Sequence, residues 1–201
     1  MGSGDGIRAA IELLHVPSRV RIARTEPLPA GVELLLRIAA GEADAERTAI
    51  ASTGRPRELI RQAAIFFIEQ VLLCPNSDSY RVLGTDSQAS SGELRRNMAL
   101  LIKWLHPDQD PGGQRSMFAS RVIRAWDDLK TPKRRATYDD VRRIASARKL
   151  ARKSRSASSS KRMFVSPDRR HVSATRISGT ESLLSRAWMF LLRVASHRSD
   201  G

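Results

Sequence analysis

The sequence predicts an all-α protein: a helical hairpin at its centre, a helical module before it and a disordered basic tail after it. Three observations carry this expectation. Apolar residues recur at spacings of three and four over long stretches, the period of one helix face. Aromatic residues make up only 5% of the 201, and alternating, strand-like runs are few. Helix starts are also marked, by Ser90 with Glu93 three residues on and by Thr131 followed by Pro132.

Residues 1–30 mix Gly, Arg and Pro. Ile7, Ile11 and Leu14 fit one short helix, but Pro17, Pro27 and Pro29 break anything longer. The segment is expected to be mostly extended or disordered, a flexible N-terminus. Residues 31–76 read as a helical module. A short helix over 31–41 ends at Gly41 as its C-cap, and an Ala-rich turn or helix follows over 42–52. Pro56 then opens a third helix that runs to about Leu73, where Pro75 stops it. Leu59, Ile60, Ala63, Ala64, Phe66, Phe67, Ile68, Val71 and Leu72 cover more than one face of it, so it is expected to be buried on several sides.

Residues 77–141 carry the clearest signals. The capping box at Ser90 starts a helix whose stripe is Leu94, Met98, Leu101, Ile102 and Leu105. His106-Pro107 ends it, because the residue before a proline is biased away from helical geometry. Asp108 to Gly113 is dense in turn formers and reads as a loop. A second helix over about 115–129 has the stripe Phe118, Val122, Ala125, Trp126 and Leu129. Two such helices joined by a short loop lie antiparallel, and the loop becomes a rigidly held, exposed tip. The expected core of this region is Tyr80, Leu83, Leu94, Met98, Leu101, Leu105, Phe118, Val122, Ala125, Trp126 and Leu129. Trp104 fits either a core position or a partner contact. Arg134 and Arg135 read as a solvated face rather than a binding site.

Residues 142–180 are read as the end of a basic helix and then a Ser/Arg-rich linker, flexible from residue 150, since so few apolar groups cannot offset the entropy of ordering. Residues 181–198 regain helical periodicity through Leu183, Leu184, Ala187, Trp188, Leu191, Leu192 and Ala195. That amphipathic helix fits docking on the N-terminal module, a place at a membrane interface, or disorder.

The net charge of +14 is uneven. Residues 1–76 hold nine basic and nine acidic side chains, residues 77–140 eleven and nine, and residues 141–201 fifteen and three. The basic excess over 142–198 suits nucleic acid or an anionic membrane, and equally a merely solubilising tail. Cys74 is the only cysteine, which excludes an intramolecular disulfide and a cysteine-based zinc site. The four histidines (15, 106, 171 and 197) stand in unrelated contexts, and no Ser/His/Asp set, phosphate loop or metal cluster stands out. No cofactor, no metal and no enzyme activity is expected. Neither a leader-like apolar segment nor a bilayer-length run is visible, so a cytoplasmic location is expected.

The hairpin tip reads His106-Pro107-Asp108 between two amphipathic helices, and this resembles the J-domain of the DnaJ cochaperone family. The flanks agree. Asp78-Ser79-Tyr80-Arg81-Val82-Leu83-Gly84 resembles the opening of the domain, where a tyrosine precedes a leucine–glycine pair. Ala125-Trp126 and Leu129 resemble its alanine–aromatic–leucine run. Pro132, Arg134-Arg135 and Tyr138-Asp139 resemble its proline, basic pair and closing tyrosine–aspartate. The likeness covers about a third of the chain. With no Gly/Phe-rich stretch and no paired cysteines beside it, the chain resembles the divergent class that keeps only the J-domain.

The resemblance implies a partner and a mechanism. In this family the tripeptide and a basic face on the preceding helix dock on a DnaK-type ATPase chaperone and stimulate its ATP hydrolysis, which assists protein folding or remodelling. Carried over here, the partner-binding residues are His106, Pro107 and Asp108 with Arg95, Arg96 and Lys103. The sequence departs from the family where Ala99, Leu100 and Trp104 stand at positions that are often basic, so the basic face is thin. Phe118 also lies one residue earlier than the usual phenylalanine. A second reading, compatible with the first, is a nucleic-acid- or ribosome-associated protein that uses the basic C-terminal tail.

Overall fold

The computed structural model describes residues 4–106 and 116–161, the side chains of 116, 149, 150 and 152–161 excepted. The described residues form nine α-helices and no strand. The first five are α1 (Asp5–His15), α2 (Val20–Ala23), α3 (Val32–Ala39), α4 (Ala43–Thr53) and α5 (Arg57–Phe67), and α5 runs on as a π-helical stretch, Ile68–Leu72. Then come α6 (Ser79–Val82), α7 (Ser91–Trp104), α8 (Ser116–Leu129) and α9 (Pro132–Lys161). Residues Met1–Lys153 form one compact unit; of the second, Ser154–Gly201, only the helical residues 154–161 are described.

The N-terminal segment departs from expectation. Most of residues 5–23 is helical, and Ile7, Ala10 and Ile11 on α1 are buried against α3 and α5. The prolines punctuate this segment without dissolving it. Pro17 lies past the end of α1, at the first turn of a short 3-10 helix, where its missing N–H costs nothing. Gly6 N–H donates to Ala30 O at 2.8 Å, tying the start of α1 to the chain just before α3.

The helices expected over 31–76 form close to their expected limits. Gly41 takes φ +77° just past α3, the left-handed geometry its C-cap role requires. Beyond α5 the chain makes one wider turn, closed by Leu73 N–H to Ile68 O at 2.9 Å. That turn slips the register by a residue, and Val71, Leu72 and Leu73 all end up buried. Glu46 on α4 is buried, with Arg57 and Arg61 of α5 ion-paired to it, Arg61 at 3.6 Å.

α9 also departs from expectation. It continues to Lys161, so residues 150–161, read as flexible linker, are helical. Low apolar content argues against packing, not against a helix already started at a cap, and Ala, Arg and Lys propagate one well. Thr131 Oγ1 accepts from Arg134 N–H at 3.3 Å, and Pro132 takes the first helical position. The expectations for 162–180 and for a helix over 181–198 lie outside the described residues.

A single apolar core runs from α1 through α3–α5 and on through α6–α8. Two half-buried cations strengthen the seam between the N-terminal helices and the region from Asp78 on. Arg81 of α6 donates from Nη1 to Glu26 O at 2.9 Å, from Nη2 to Ala23 O, and from Nε to Val71 O at 3.4 Å. These carbonyls lie at or near helix C-termini, where cations are favourable. Burial pulls the Arg81 guanidinium below its ordinary value. Arg121 of α8 likewise donates to Leu73 O.

Gly84 explains why a glycine follows the leucine in this sequence. Its φ is +67°, and a Cβ there would lie 2.9 Å from Val32 Cγ1 and 3.4 Å from Leu36 Cδ1 on α3. Gly84→Ala is therefore expected to lower unfolding stability by about 1–3 kcal/mol, read as a lower urea midpoint with an unchanged slope. The start of α7 makes a pH prediction. Glu93 accepts from Ser90 N–H at 2.8 Å and from Ser90 Oγ at 3.0 Å. These bonds hold its carboxyl below the usual carboxylate range. The stabilisation is complete above the unfolded-state value of about 4.3 and is lost as pH falls through the lower folded value. Glu93→Gln should be less stable than wild type at neutral pH, with the gap closing below about pH 4.

Candidate partner-docking site

α7 and α8 lie side by side in opposite directions. The end of α7 meets the start of α8, where the Trp104 and Phe118 rings stack at 6.3 Å and 21°. At the other end, Arg135, just past α8, donates to Ala89 O and Ser87 O ahead of α7, both at 2.8 Å. Leu94 and Leu101 of α7 and Val122, Ala125 and Leu129 of α8 are buried in the common core. Met98, Leu105, Phe118 and Trp126, also expected in the core, are half-buried and pack against it.

Trp104 is a core residue, 1% exposed. The alternative, that it replaces a cation on a partner-facing surface, does not hold, because its ring is used up beneath the tip against Phe118. Leu105 N–H to Leu101 O at 2.9 Å and His106 N–H to Lys103 O at 3.3 Å close the last turn of α7. His106 follows immediately and is exposed. Pro107 and Asp108 lie outside the described residues.

The three cations assigned to partner binding are all exposed but do not form one face. Arg96 and Lys103 border a shallow groove of about 370 Å³ floored by Ala99 and Leu100. The far wall of that groove is Glu33 and Arg37 of α3 and Glu42 beyond it. Arg96 makes a loose ion pair with Glu33 at 3.8 Å, and Arg37 is held by Glu42 and Asp44. Arg95 lies outside the groove. The helix next to α7 on this side thus belongs to the N-terminal module, which the sequence alone did not couple to the tip.

At the base of the hairpin the closing residues form a polar network. Tyr80 is buried, and its hydroxyl donates to Asp139 at 2.9 Å while accepting from Arg135 Nε at 2.9 Å. Burial raises the Tyr80 phenol above its ordinary value, and the Asp139 carboxylate adds to this. Tyr138 packs edge-on against Tyr80 at 5.9 Å, and its hydroxyl accepts from Ser79 N–H at 2.8 Å. Ser79 Oγ donates to Asp128 at 2.6 Å. Arg135 is therefore structural, contrary to its reading as a solvated face, whereas Arg134 is exposed and donates to Asp127 O at 2.9 Å.

Residues 78–139 match the model of the DnaJ domain. This segment is a J-domain. Over it the chain is similar to Chaperone protein DnaJ 1 of Mycobacterium leprae, 36% identical over 67 residues, which is 33% of this chain and 17% of that protein. Chaperone protein DnaJ of Acetivibrio thermocellus is 36% identical over 63 residues, 31% of this chain and 16% of that protein. Chaperone protein DnaJ 1 of Mycobacterium tuberculosis H37Rv is 38% identical over 68 residues, 33% and 17%. The chain spans about a sixth of the length of these curated relatives. No solved structure matches it.

The J-domain begins at the α6 segment that carries Tyr80, Arg81 and Gly84 and ends at Asp139, so the polar network joins its first helix to its last. Among the described residues no grouping of His, Cys, Asp and Glu could hold a metal ion, and no helix is long and apolar enough to cross a membrane. Cys74 is buried, its Sγ 3.1 Å from Ser77 Oγ.

Trp104→Ala should cost about 3–5 kcal/mol, the usual range for emptying a buried aromatic site. Proton NMR or hydrogen exchange should show the loss at the tip end of α7 and α8 before the base. Tyr80→Phe, which removes the hydroxyl that bridges Arg135 to Asp139 but leaves the ring packing, should cost about 1–3 kcal/mol and loosen the base instead.

Proposed function

We propose that this chain is a cochaperone that binds a DnaK-type chaperone through its J-domain and stimulates that partner's ATP hydrolysis, assisting protein folding or remodelling. The observation that supports it is a J-domain at 78–139 whose α7 ends, beside the stack of buried Trp104 on half-buried Phe118, at an exposed His106. A side chain held this way presents a fixed shape to a partner and gives up little entropy on binding.

The chemistry belongs to the partner. The J-domain contributes differential affinity: binding one conformational state of the ATPase better than another shifts its population and thereby its turnover. His106 supplies two ring nitrogens at the tip. Pro107 fixes the end of the helix, and Asp108 supplies a carboxylate able to take a charge-assisted bond from a partner cation. Arg95, Arg96 and Lys103 provide the electrostatic attraction. Because the groove between Arg96 and Lys103 is walled by α3, the N-terminal module contributes to the surface that the partner meets and helps choose which partner fits.

The test is single-turnover ATP hydrolysis by the cognate DnaK-type protein with and without this chain. His106→Gln, at an exposed position, should leave the circular dichroism spectrum unchanged and abolish stimulation. Equal stimulation by wild type and variant would overturn the reading. Arg95→Glu should raise the concentration needed for half-maximal stimulation, and more so at low salt.

A further inference from the structure

We propose that α9, from Arg142 to Lys153, is a binding site for the phosphate backbone of nucleic acid, a function separate from the docking tip.

The first observation is where the pairing of charges stops. Near the J-domain most cations of α9 are paired. Arg134 meets Asp127 at 3.8 Å, Arg142 meets Asp78 at 3.3 Å and Arg143 meets Asp140 at 2.6 Å. After Asp140 the sequence has no carboxylate until Asp168, while Arg148, Lys149, Arg152 and Lys153 follow within two turns. No residue within four positions can neutralise these four.

The second observation is that this stretch is helical and that its described side chains are open to solvent. Every described side chain from Asp140 to Arg148 is exposed, Val141 and Ile144 included. On a helical backbone Arg148 and Arg152 stand one turn apart, as do Lys149 and Lys153. Like charges at that spacing repel and weaken the helix. A polyanion laid along the rod removes the repulsion, so binding and helix stability favour each other. At 1.5 Å per residue the twelve positions of the site span roughly 18 Å, enough to meet several successive phosphates.

The composition selects nucleic acid over the other anionic surface, a membrane. A helix lying in a bilayer interface needs a broad apolar face with large side chains. From Arg142 to Lys153 the only large apolar residues are Ile144 and Leu150, six positions and so about 120° apart around the helix, and the rest are alanines. The same composition points to phosphate rather than base contacts. α9 contains no Asn or Gln, and its one aromatic residue, Tyr138, is held in the J-domain network. Binding is therefore expected to be independent of sequence.

The experiment is fluorescence anisotropy of the full-length chain against a short mixed-sequence DNA duplex and a short single-stranded RNA, between about 50 and 200 mM salt. Wild type should bind at low salt, with affinity falling linearly on a log–log plot. R148Q/K149Q/R152Q/K153Q should bind at least about tenfold more weakly and reduce the salt slope by about three. R148K/R152K, which keeps the charge, should match wild type. Several results would overturn the proposal: no binding of either nucleic acid at low salt, an unchanged slope in the glutamine variant (which would assign binding to residues beyond Lys153), or equal displacement by polyglutamate. Capture by anionic vesicles without nucleic-acid binding would overturn it as well.

Discussion

Trp104 lies against Phe118 at the point where α7 ends and α8 begins, and this contact makes two amphipathic helices into a hairpin with a defined end. Near the same end of α7 the half-buried Ile102 and Leu105 also pack against the core. His106 takes its position from this packing because it sits two residues past a side chain that is 1% exposed. The cost is paid in charge: an indole below the tip occupies a position that could have carried a cation above it. The thin basic face follows in part from this indole, together with Ala99 and Leu100 on the same helix.

The same economy governs the other end. Tyr80 joins Arg135 to Asp139, and Tyr138 beside it bonds Ser79, all through buried or half-buried groups. Each of these would be costly to bury alone, and each is satisfied by another. A network of this kind fixes where α9 leaves the hairpin. The two proposed surfaces therefore share a scaffold but use different parts of it.

The J-domain does not stand apart from the helices before it. Arg81 and Arg121 reach across to backbone carbonyls of the N-terminal segment, Gly84 lets α3 approach closely, and the core is continuous from Ile7 to Leu129. Relative motion of the two parts would break charge-assisted bonds as well as apolar contacts. The groove between α3 and α7 is thus a stable feature of the surface beside the tip.

Local rules carried much of this in the linear chain. The capping box at Ser90, the proline stops, the Thr131-Pro132 start and the period of three and four name each helix of the hairpin, because caps and stripes depend on neighbours within one turn. Tyr80, Gly84, Arg135 and Tyr138 were visible as a pattern, but not as the contacts they make. Other features depended on residues far apart in the chain. The burial of Trp104, the order of residues 5–23, the structural role of Arg135 and the alliance of α3 with α7 all follow from partners tens of residues away. The length of α9 escaped for the opposite reason: a helix can persist on propensity alone where no packing marks it. What the sequence determined by itself was which segments of residues 31–76 and of the hairpin are helices. Only the tertiary structure decided which side chains those helices keep for their own core and which they leave for a partner, since burial is a property of what else arrives.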